Sequence, residues 1–142
     1  NASLIRSTVD LGASATAQDR VRPLQGQSPY IVNVSLYYEE PVSNLTAAVI
    51  YNIFGDRIFS VGDVLFPTIY ELSRNSLDFT ITKRVKRVSY KLGIQNILDA
   101  PFRFFEDSDR TEKISLDRDN PIFTLRRGQL ASLSLTFDLN KQ

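Results

Sequence analysis

Cysteine and histidine are both absent from the 142-residue sequence, as are tryptophan and methionine. Without cysteine or histidine the chain cannot build a Ser-His-Asp or Cys-His catalytic site, a thiolate redox centre, a zinc finger or an imidazole metal site. Since no disulfide can form, cysteine usage says nothing about the redox state of the compartment. We therefore expect no enzyme activity, and we assign no catalytic residue, cofactor or metal ligand.

Two further absences narrow the class of protein. Charge of neither sign is in excess, because 17 Lys and Arg oppose 16 Asp and Glu for a net charge of +1. No long-range field therefore favours nucleic acid as a partner. No run of about eighteen apolar residues is present, which excludes a membrane-spanning helix. Apolar residues nevertheless make up 42% of the chain, with 9 Phe and 6 Tyr, so a disordered chain is also excluded.

The dominant sequence period is two, which is the period of a β-strand. It is clearest near the end of the chain, where Leu133, Leu135 and Phe137 alternate with serine and threonine. No segment has a convincing helical period. The pattern predicts an all-β, antiparallel, up-and-down meander of about six strands. The predicted strands lie near 4–11, 30–39, 45–54, 76–84, 88–95 and 130–139.

The connections between these strands alternate in length. Long loops are predicted at 12–29, 55–75 and 96–122, and short turns separate the other strands. In an up-and-down sheet all the long loops then fall at one end, as in outer-membrane barrels. Six strands are fewer than the roughly eight that close a transmembrane barrel. We therefore expect 1–142 to be the C-terminal segment of a larger transmembrane barrel, whose exposed edges self-associate if the segment is isolated.

Five stretches of the sequence resemble the C-terminal part of TonB-dependent outer-membrane receptors of the type abundant in Bacteroidota. They occur in the order found in that family and cover nearly the whole chain. They are 22–30 (RPLQGQSPY) followed by Asn33; Tyr51 and Asn52 with Gly55, Arg57, Ile58, Val61 and Gly62; 67–71 (PTIYE) with Arg74, Leu77 and Asp78; 96–99 (NILD); and Arg127 and Gly128 before a strand that ends in Phe137, Asp138 and Leu139.

The resemblance implies a location in the outer membrane of a Gram-negative bacterium, in a barrel of about twenty-two strands plugged by an N-terminal domain. Such a receptor takes up nutrients with energy from TonB. Neither the plug nor the segment that contacts TonB lies in these residues, so this part would supply barrel wall and extracellular loops and would not transport alone. The implied partners are outer-membrane lipid, the plug domain, TonB and a surface lipoprotein; no nucleic acid is expected. The alternative is a soluble all-β module that binds a carbohydrate or another ligand.

Candidate ligand-contacting residues lie in the second and third long loops. Their aromatic rings offer flat surfaces for a sugar, and their charges offer polar contacts. The alternative for the aromatic group is packing of the loop onto the barrel rim, and for the charged group it is internal salt bridges. The candidates are Arg57, Tyr70, Glu71, Arg74, Phe102, Arg103, Phe104 and Phe105.

The sequence also contains one acidic and one basic run of residues. The acidic stretch that contains Asp107, Asp109 and Asp119 lacks the spacing of a calcium loop and is interspersed with Arg and Lys, so we interpret it as a solvated loop. The basic run 83–87 lies at a short turn and has no interleaved aromatic residue. It predicts a solvated turn or a contact with anionic headgroups in preference to a nucleic-acid site.

Overall fold

A computed structural model describes residues 1–12 and 20–139. The described residues form strands and no helix, which confirms the predicted all-β class, and none forms a helix able to cross a membrane. The predicted loop at 12–29 falls partly outside the described residues, because 13–19 are not among them. The strands are β1 (Ala2–Leu4), β2 (Val9–Asp10), β3 (Val21–Arg22), β4 (Tyr30–Glu40), β5 (Leu45–Phe54), β6 (Arg57–Ser60), β7 (Ile69–Glu71), β8 (Arg74–Val85), β9 (Val88–Gln95), β10 (Phe102–Glu106), β11 (Asn120–Leu125) and β12 (Leu130–Phe137).

The longest strands belong to one open sheet, with the order β1-β4-β5-β8-β9-β12. Sheet neighbours follow each other in chain order, which is the order of an up-and-down meander once β2, β3, β6, β7, β10 and β11 are set aside. The pairs β1–β4, β8–β9 and β9–β12 are antiparallel. Strands β4, β5, β8, β9 and β12 each begin and end within about two residues of the segment that period-two alternation predicts.

The predicted strand at 4–11 is wrong as a single element. β1 stops at Leu4, and β2 starts only at Val9 and pairs with β3. Between them, the main chain of Ile5 donates to the carbonyl of Pro29, and the hydroxyl of Ser7 accepts from the main chain of Leu24. The segment therefore changes partners, because residues of the predicted first loop compete for its hydrogen bonds.

The predicted long loops are not structureless. β6, β7 and β10 lie inside the second and third loops, and β11 begins in the third loop and ends three residues beyond its predicted end at 122. The four strands form a separate antiparallel sheet with the order β11-β10-β7-β6. These strands have 4, 3, 5 and 6 residues, too short for alternation to reveal a period. Their pairing satisfies main-chain groups that a structureless loop of this length would leave open.

The chain divides into two compact units. Unit 1 comprises 1–32, 53–74 and 101–126, and unit 2 comprises 33–52, 75–100 and 127–142. Every buried apolar side chain among the described residues lies in unit 1: Ile58, Tyr70, Leu72, Phe104 and Phe105. Among the described residues of unit 2, only Gly93 is buried, and glycine has no side chain. Unit 1 thus has a hydrophobic core, and the described part of unit 2 has none.

Strands β8, β9 and β12 of unit 2 carry one apolar and one polar face. Their registers align Ile81, Leu92 and Leu133 in one row across the sheet. The row on one side of it is Phe79, Ile94 and Ala131, and the row on the other side is Lys83, Tyr90 and Leu135. The last row before the turn between β8 and β9 is Val85, Val88 and Phe137. Intervening rows on the opposite face are Thr80, Gly93 and Ser132; Thr82, Lys91 and Ser134; and Arg84, Ser89 and Thr136.

A hydrogen-bonded turn follows β9 in unit 2. The main chain of Asn96, at a φ of 53°, donates to a carboxylate oxygen of Asp78, and its side-chain amide donates to the carbonyl of Gly128, each over 2.8 Å. The carboxylate of Asp99 accepts from the main chain of Gly128 over 3.1 Å. Asparagine and aspartate tolerate the left-handed region, which Asp99 also adopts at 44°. The NILD stretch therefore joins the end of β9 to the approach to β12.

Candidate functional site

The eight predicted ligand-contacting residues all lie in unit 1. Arg57 begins β6, Tyr70 and Glu71 end β7, and Arg74 begins β8. The remaining four are consecutive positions of β10. The antiparallel pairing of β10 with β7 places Phe104 opposite Glu71 and Phe105 opposite Tyr70. Pairing of strands from two different loops therefore brings these residues together.

The aromatic residues of β10 pack mainly inside unit 1. The Phe104 ring stacks on Phe123 with centroids 4.3 Å apart and meets the edge of Phe59 at 4.8 Å. Phe104 and Phe105 are both buried, and the Phe102 ring lies under the guanidinium of Arg74 at 3.9 Å. Ring pairs of this geometry stabilise a core beyond the area they bury. In this arrangement Phe104 and Phe105 offer no free face to a flat ligand.

The charged residues of the site form an internal ion pair. Both Nε and Nη2 of Arg57 donate to one Glu71 carboxylate oxygen, over 2.8 and 2.7 Å. The Glu71 side chain is nearly fully buried, whereas about a third of the Arg57 side chain is exposed. The Arg57 guanidinium also lies 4.6 Å from the centre of the Phe54 ring. A buried carboxylate requires such a partner, so the pair joins β6 to β7.

We expect Glu71→Gln to lower the free energy of unfolding of unit 1 by about 1–3 kcal/mol, because it removes the charge from hydrogen bonds made inside the protein. Urea unfolding followed by tyrosine fluorescence measures the change. Glu112→Gln, at an exposed position of the same unit, is the matched control and should change stability by less than about 0.5 kcal/mol. Equal effects of the two substitutions would contradict the structural role of the pair.

A cavity of about 500 Å³ in unit 1 lies beside two of the predicted residues. Arg57 and Tyr70 line it, together with several residues that were not predicted from the sequence to contact a ligand. Its wall combines apolar and charged groups, as ligand sites do. The Oε1 atom of Gln27, which also lines it, is buried and has no hydrogen-bond partner among the described residues. The added lining residues are Ile5, Arg6, Ser7, Pro23, Gln27, Pro29, Asp56, Ile58, Glu112, Lys113 and Ile114.

The acidic stretch is not a solvated loop throughout, so that interpretation is wrong for two of its members. Asp107 and Asp119 are buried. The Asp107 carboxylate accepts from the main chains of Thr111 and Glu112, both over 2.9 Å. The Asp119 carboxylate accepts from those of Ser108 and Ser115. Buried carboxylates need such donors, and loop amides supply them here.

Asp109 completes this cluster at an exposed position. Its carboxylate and those of Asp107 and Asp119 offer oxygens that all lie within 4.8 Å of one another. The hydroxyl of Thr111, which donates to Asp109 over 2.7 Å, lowers the pKa of that carboxyl, and the Arg118 guanidinium at 3.2 Å lowers it further. The spacing of charged residues in the sequence does not predict this cluster of three carboxylates, because the cluster depends on how the loop folds.

A tight turn at 62–68 presents three exposed apolar side chains, Val64, Leu65 and Phe66. The Asp63 carboxylate accepts from the main chains of Leu65 and Phe66, over 2.7 and 2.8 Å. A Cβ at Gly62 would clash with the carbonyl oxygen of Phe66, so only glycine fits that position. The two main-chain donors, Phe66 first, hold the pKa of Asp63 below its usual value of 3.8.

We expect the turn at 62–68 to loosen in acid. Because the pKa of Asp63 is depressed in the folded chain, its stabilising effect is complete above pH 3.8 and is lost as the pH falls through the folded value. NMR spectra of the Leu65 and Phe66 amides, recorded against pH, should titrate with a midpoint below 3.8. Asp63→Asn should abolish that titration. A midpoint at or above 3.8 would contradict the hydrogen bonding described.

In comparisons with known proteins, no family model, no curated protein and no solved structure matches this chain.

Proposed function

We propose that the chain is the C-terminal part of the barrel of a TonB-dependent outer-membrane receptor. It would supply six antiparallel strands of the wall and the loops at one end of it. The observation that carries the proposal is the apolar face of unit 2. Its side chains are half-buried or exposed, with Leu133 at 71% and Leu135 at 52% of full accessibility. Exposed apolar surface costs about 25 cal/mol per Å² in water, and a contiguous patch of it marks contact with lipid or protein.

The dimensions of the strands support the same proposal. β4, β5 and β8 have 11, 10 and 12 residues, and β9 and β12 have 8 each. A tilted strand needs about 9–11 residues to cross the hydrocarbon layer, a length that β4, β5 and β8 reach and that β9 and β12 miss by one residue. Barrel strands place apolar residues toward lipid and polar residues toward a wet interior, which is the alternation of rows in β8, β9 and β12. An open sheet would need further strands at β1 and β12, because hydrocarbon does not tolerate unpaired main-chain groups.

The proposal includes partners outside this chain. Lipid of the outer membrane would cover the apolar face, and an N-terminal plug domain would face the polar rows. TonB would act through the part of the receptor that carries the plug, and a surface lipoprotein is a further proposed partner. The function of the whole would be nutrient uptake across the outer membrane of a Gram-negative bacterium, to which this part contributes wall and loops.

One observation favours the second candidate function, a soluble module that binds a carbohydrate or another ligand. It is the cavity in unit 1, with Arg57 and Tyr70 in its wall. A soluble sandwich would also bury its apolar strand residues between two sheets. Val34, Leu36, Leu133 and Leu135 are exposed instead. Three further apolar strand residues, Val49, Phe79 and Ile81, are half-buried. The receptor accommodates both observations, because a cavity among surface loops is compatible with a membrane sheet.

Light scattering with and without detergent tests the proposed function. Without detergent, the full chain should self-associate through its apolar face and its free strand edges. In a mild detergent it should become monodisperse, because micelles cover the apolar face. A monodisperse monomer in detergent-free buffer would overturn the receptor proposal and favour the soluble module.

A further inference from the structure

A basic cluster surrounds the short turn between β8 and β9 in unit 2. Lys83, Arg84, Lys86 and Arg87 occupy four of five consecutive positions there. Arg84 is held in place, since its guanidinium donates to Asp138 over 3.1 Å and the main chain of Asp138 donates to the carbonyl of Arg87 over 2.9 Å. One of the four positive charges therefore has a carboxylate partner. Among the described residues, the side chains of Lys86 and Arg87 have none and are exposed.

The acidic residues at this end of the sheet lie on a different hairpin. The main chain of Arg84 donates to the carbonyl of Asn44, so the turn between β4 and β5 is at the same end as the basic cluster. Glu39 and Glu40 belong to β4, which is separated from β8 by β5. Among the described residues, the end of the sheet formed by β8, β9 and β12 therefore keeps an excess of positive charge after Asp138 is counted.

The apolar face of the sheet ends directly at this cluster. Its last row is Val85, Val88 and Phe137, and the row before it contains Lys83 beside Tyr90 and Leu135. Lysine in such a row can extend its ammonium group toward the polar boundary. A shallow cavity of about 400 Å³ opens here, lined by Arg84, Arg87, Ser89, Thr136, Phe137, Asp138 and Leu139. Arg84, Ser89 and Thr136 form a row of the polar face, so this depression opens on the side of the sheet opposite the apolar row.

We propose that the basic turn at 83–87 binds the headgroup of an anionic phospholipid. Guanidinium and ammonium groups recognise a phosphodiester. The neighbouring apolar row would contact the acyl chains. The positive charge lies at the boundary of an apolar face. A phospholipid can contact both the basic side chains and the apolar face, whereas a free anion can contact only the basic side chains. The inference rests on the proposed membrane location of unit 2 and adds to it a preference among lipids.

Vesicle flotation of the full chain tests this inference. One set of vesicles is pure phosphatidylcholine, and the other contains about 30% phosphatidylglycerol. The variant Lys86→Gln with Arg87→Gln removes two charges from the turn, and each basic residue near an anionic surface contributes about a fivefold gain in binding. The double variant should therefore need about thirty times more anionic lipid for half flotation, with no change on pure phosphatidylcholine.

Two control variants isolate the position of the charges. Lys91→Gln with Arg127→Gln removes the same net charge from the polar face and from the approach to β12, and should stay within about twofold of the parent. Lys86→Arg with Arg87→Lys keeps the charges and should also match the parent. The lipid site alone is overturned if the Lys91 and Arg127 variant loses as much binding to anionic vesicles as the turn variant does. It is also overturned if the parent chain binds anionic and pure phosphatidylcholine vesicles equally well. Failure of the parent to float with either vesicle overturns the proposed function, and the lipid site with it.

Discussion

Replacing Leu133 by lysine is expected to weaken insertion of the chain into phosphatidylcholine vesicles by about 2–4 kcal/mol. Leu133 lies in the middle row of the apolar face, between the rows of Ala131 and Leu135, and aligns with Leu92 and Ile81. If that face meets hydrocarbon, the substitution puts an ammonium group where no water solvates it. The lipid concentration for half flotation should then rise about thirtyfold or more.

Ser132→Lys is the matched control for this prediction. Ser132 precedes Leu133 in β12 and lies on the polar face, in the row of Gly93 and Thr80. The same charge is added at the same depth, but on the side proposed to be wet, so insertion should change by less than about 0.5 kcal/mol. Equal losses from the two lysines would contradict the assignment of the apolar face to lipid. The assignment would also be contradicted if the Leu133→Lys variant inserted into vesicles as well as the parent chain.

Replacing Phe104 by alanine is expected to lower the free energy of unfolding of unit 1 by about 3–5 kcal/mol. Phe104 is 7% exposed and contacts both Phe59 and Phe123. It also lies in β10, which pairs with β7 on one side and β11 on the other. The substitution therefore leaves a cavity at the centre of the small sheet. Urea unfolding followed by tyrosine fluorescence measures the loss.

Phe66→Ala serves as the control for Phe104→Ala. Phe66 lies in the same unit but is 69% exposed in the turn at 62–68. Its truncation removes little buried area and should change stability by less than about 1 kcal/mol. If Phe104→Ala cost no more than Phe66→Ala, the aromatic cluster would not be the core of unit 1. The reading of β10 as a packing strand would then be wrong, and a ligand-binding role for its rings would regain support.

The sequence predicts the long strands well because their alternation persists over many residues. In β12, leucines on one parity and serines on the other define both the strand and its two faces. Register follows from the same rule, since a one-residue slip between β12 and β9 would place Leu133 opposite Gly93 or Lys91, which belong to the polar rows. Short turns explain why β4 neighbours β5 and β8 neighbours β9. The long connections join the remaining sheet neighbours, so turn length does not explain those pairs.

The contents of the long loops are not predictable in this way. β7 has only 3 residues, so its pairing with β10 depends on contacts between segments about thirty residues apart in the chain. The candidate site shows the same limit. The pairing of β7 with β10 brings its residues together from two loops, and the burial of Glu71 and Phe104 depends on that pairing. Asp107 and Asp119 look solvated in sequence because nothing local reveals which main-chain amides will face them.

Labelling β12 residue by residue tests the central claim most directly. Because the chain has no cysteine, each position of 130–137 can carry a single introduced cysteine and a nitroxide label in phosphatidylcholine vesicles. Electron paramagnetic resonance then compares collisions with oxygen, which concentrates in lipid, and with a water-soluble nickel complex. We predict an oscillation with a period of two, with oxygen favoured at Leu133 and Leu135 and nickel favoured at Ser132 and Ser134. Nickel access that is equally high at all of these positions would contradict a membrane sheet.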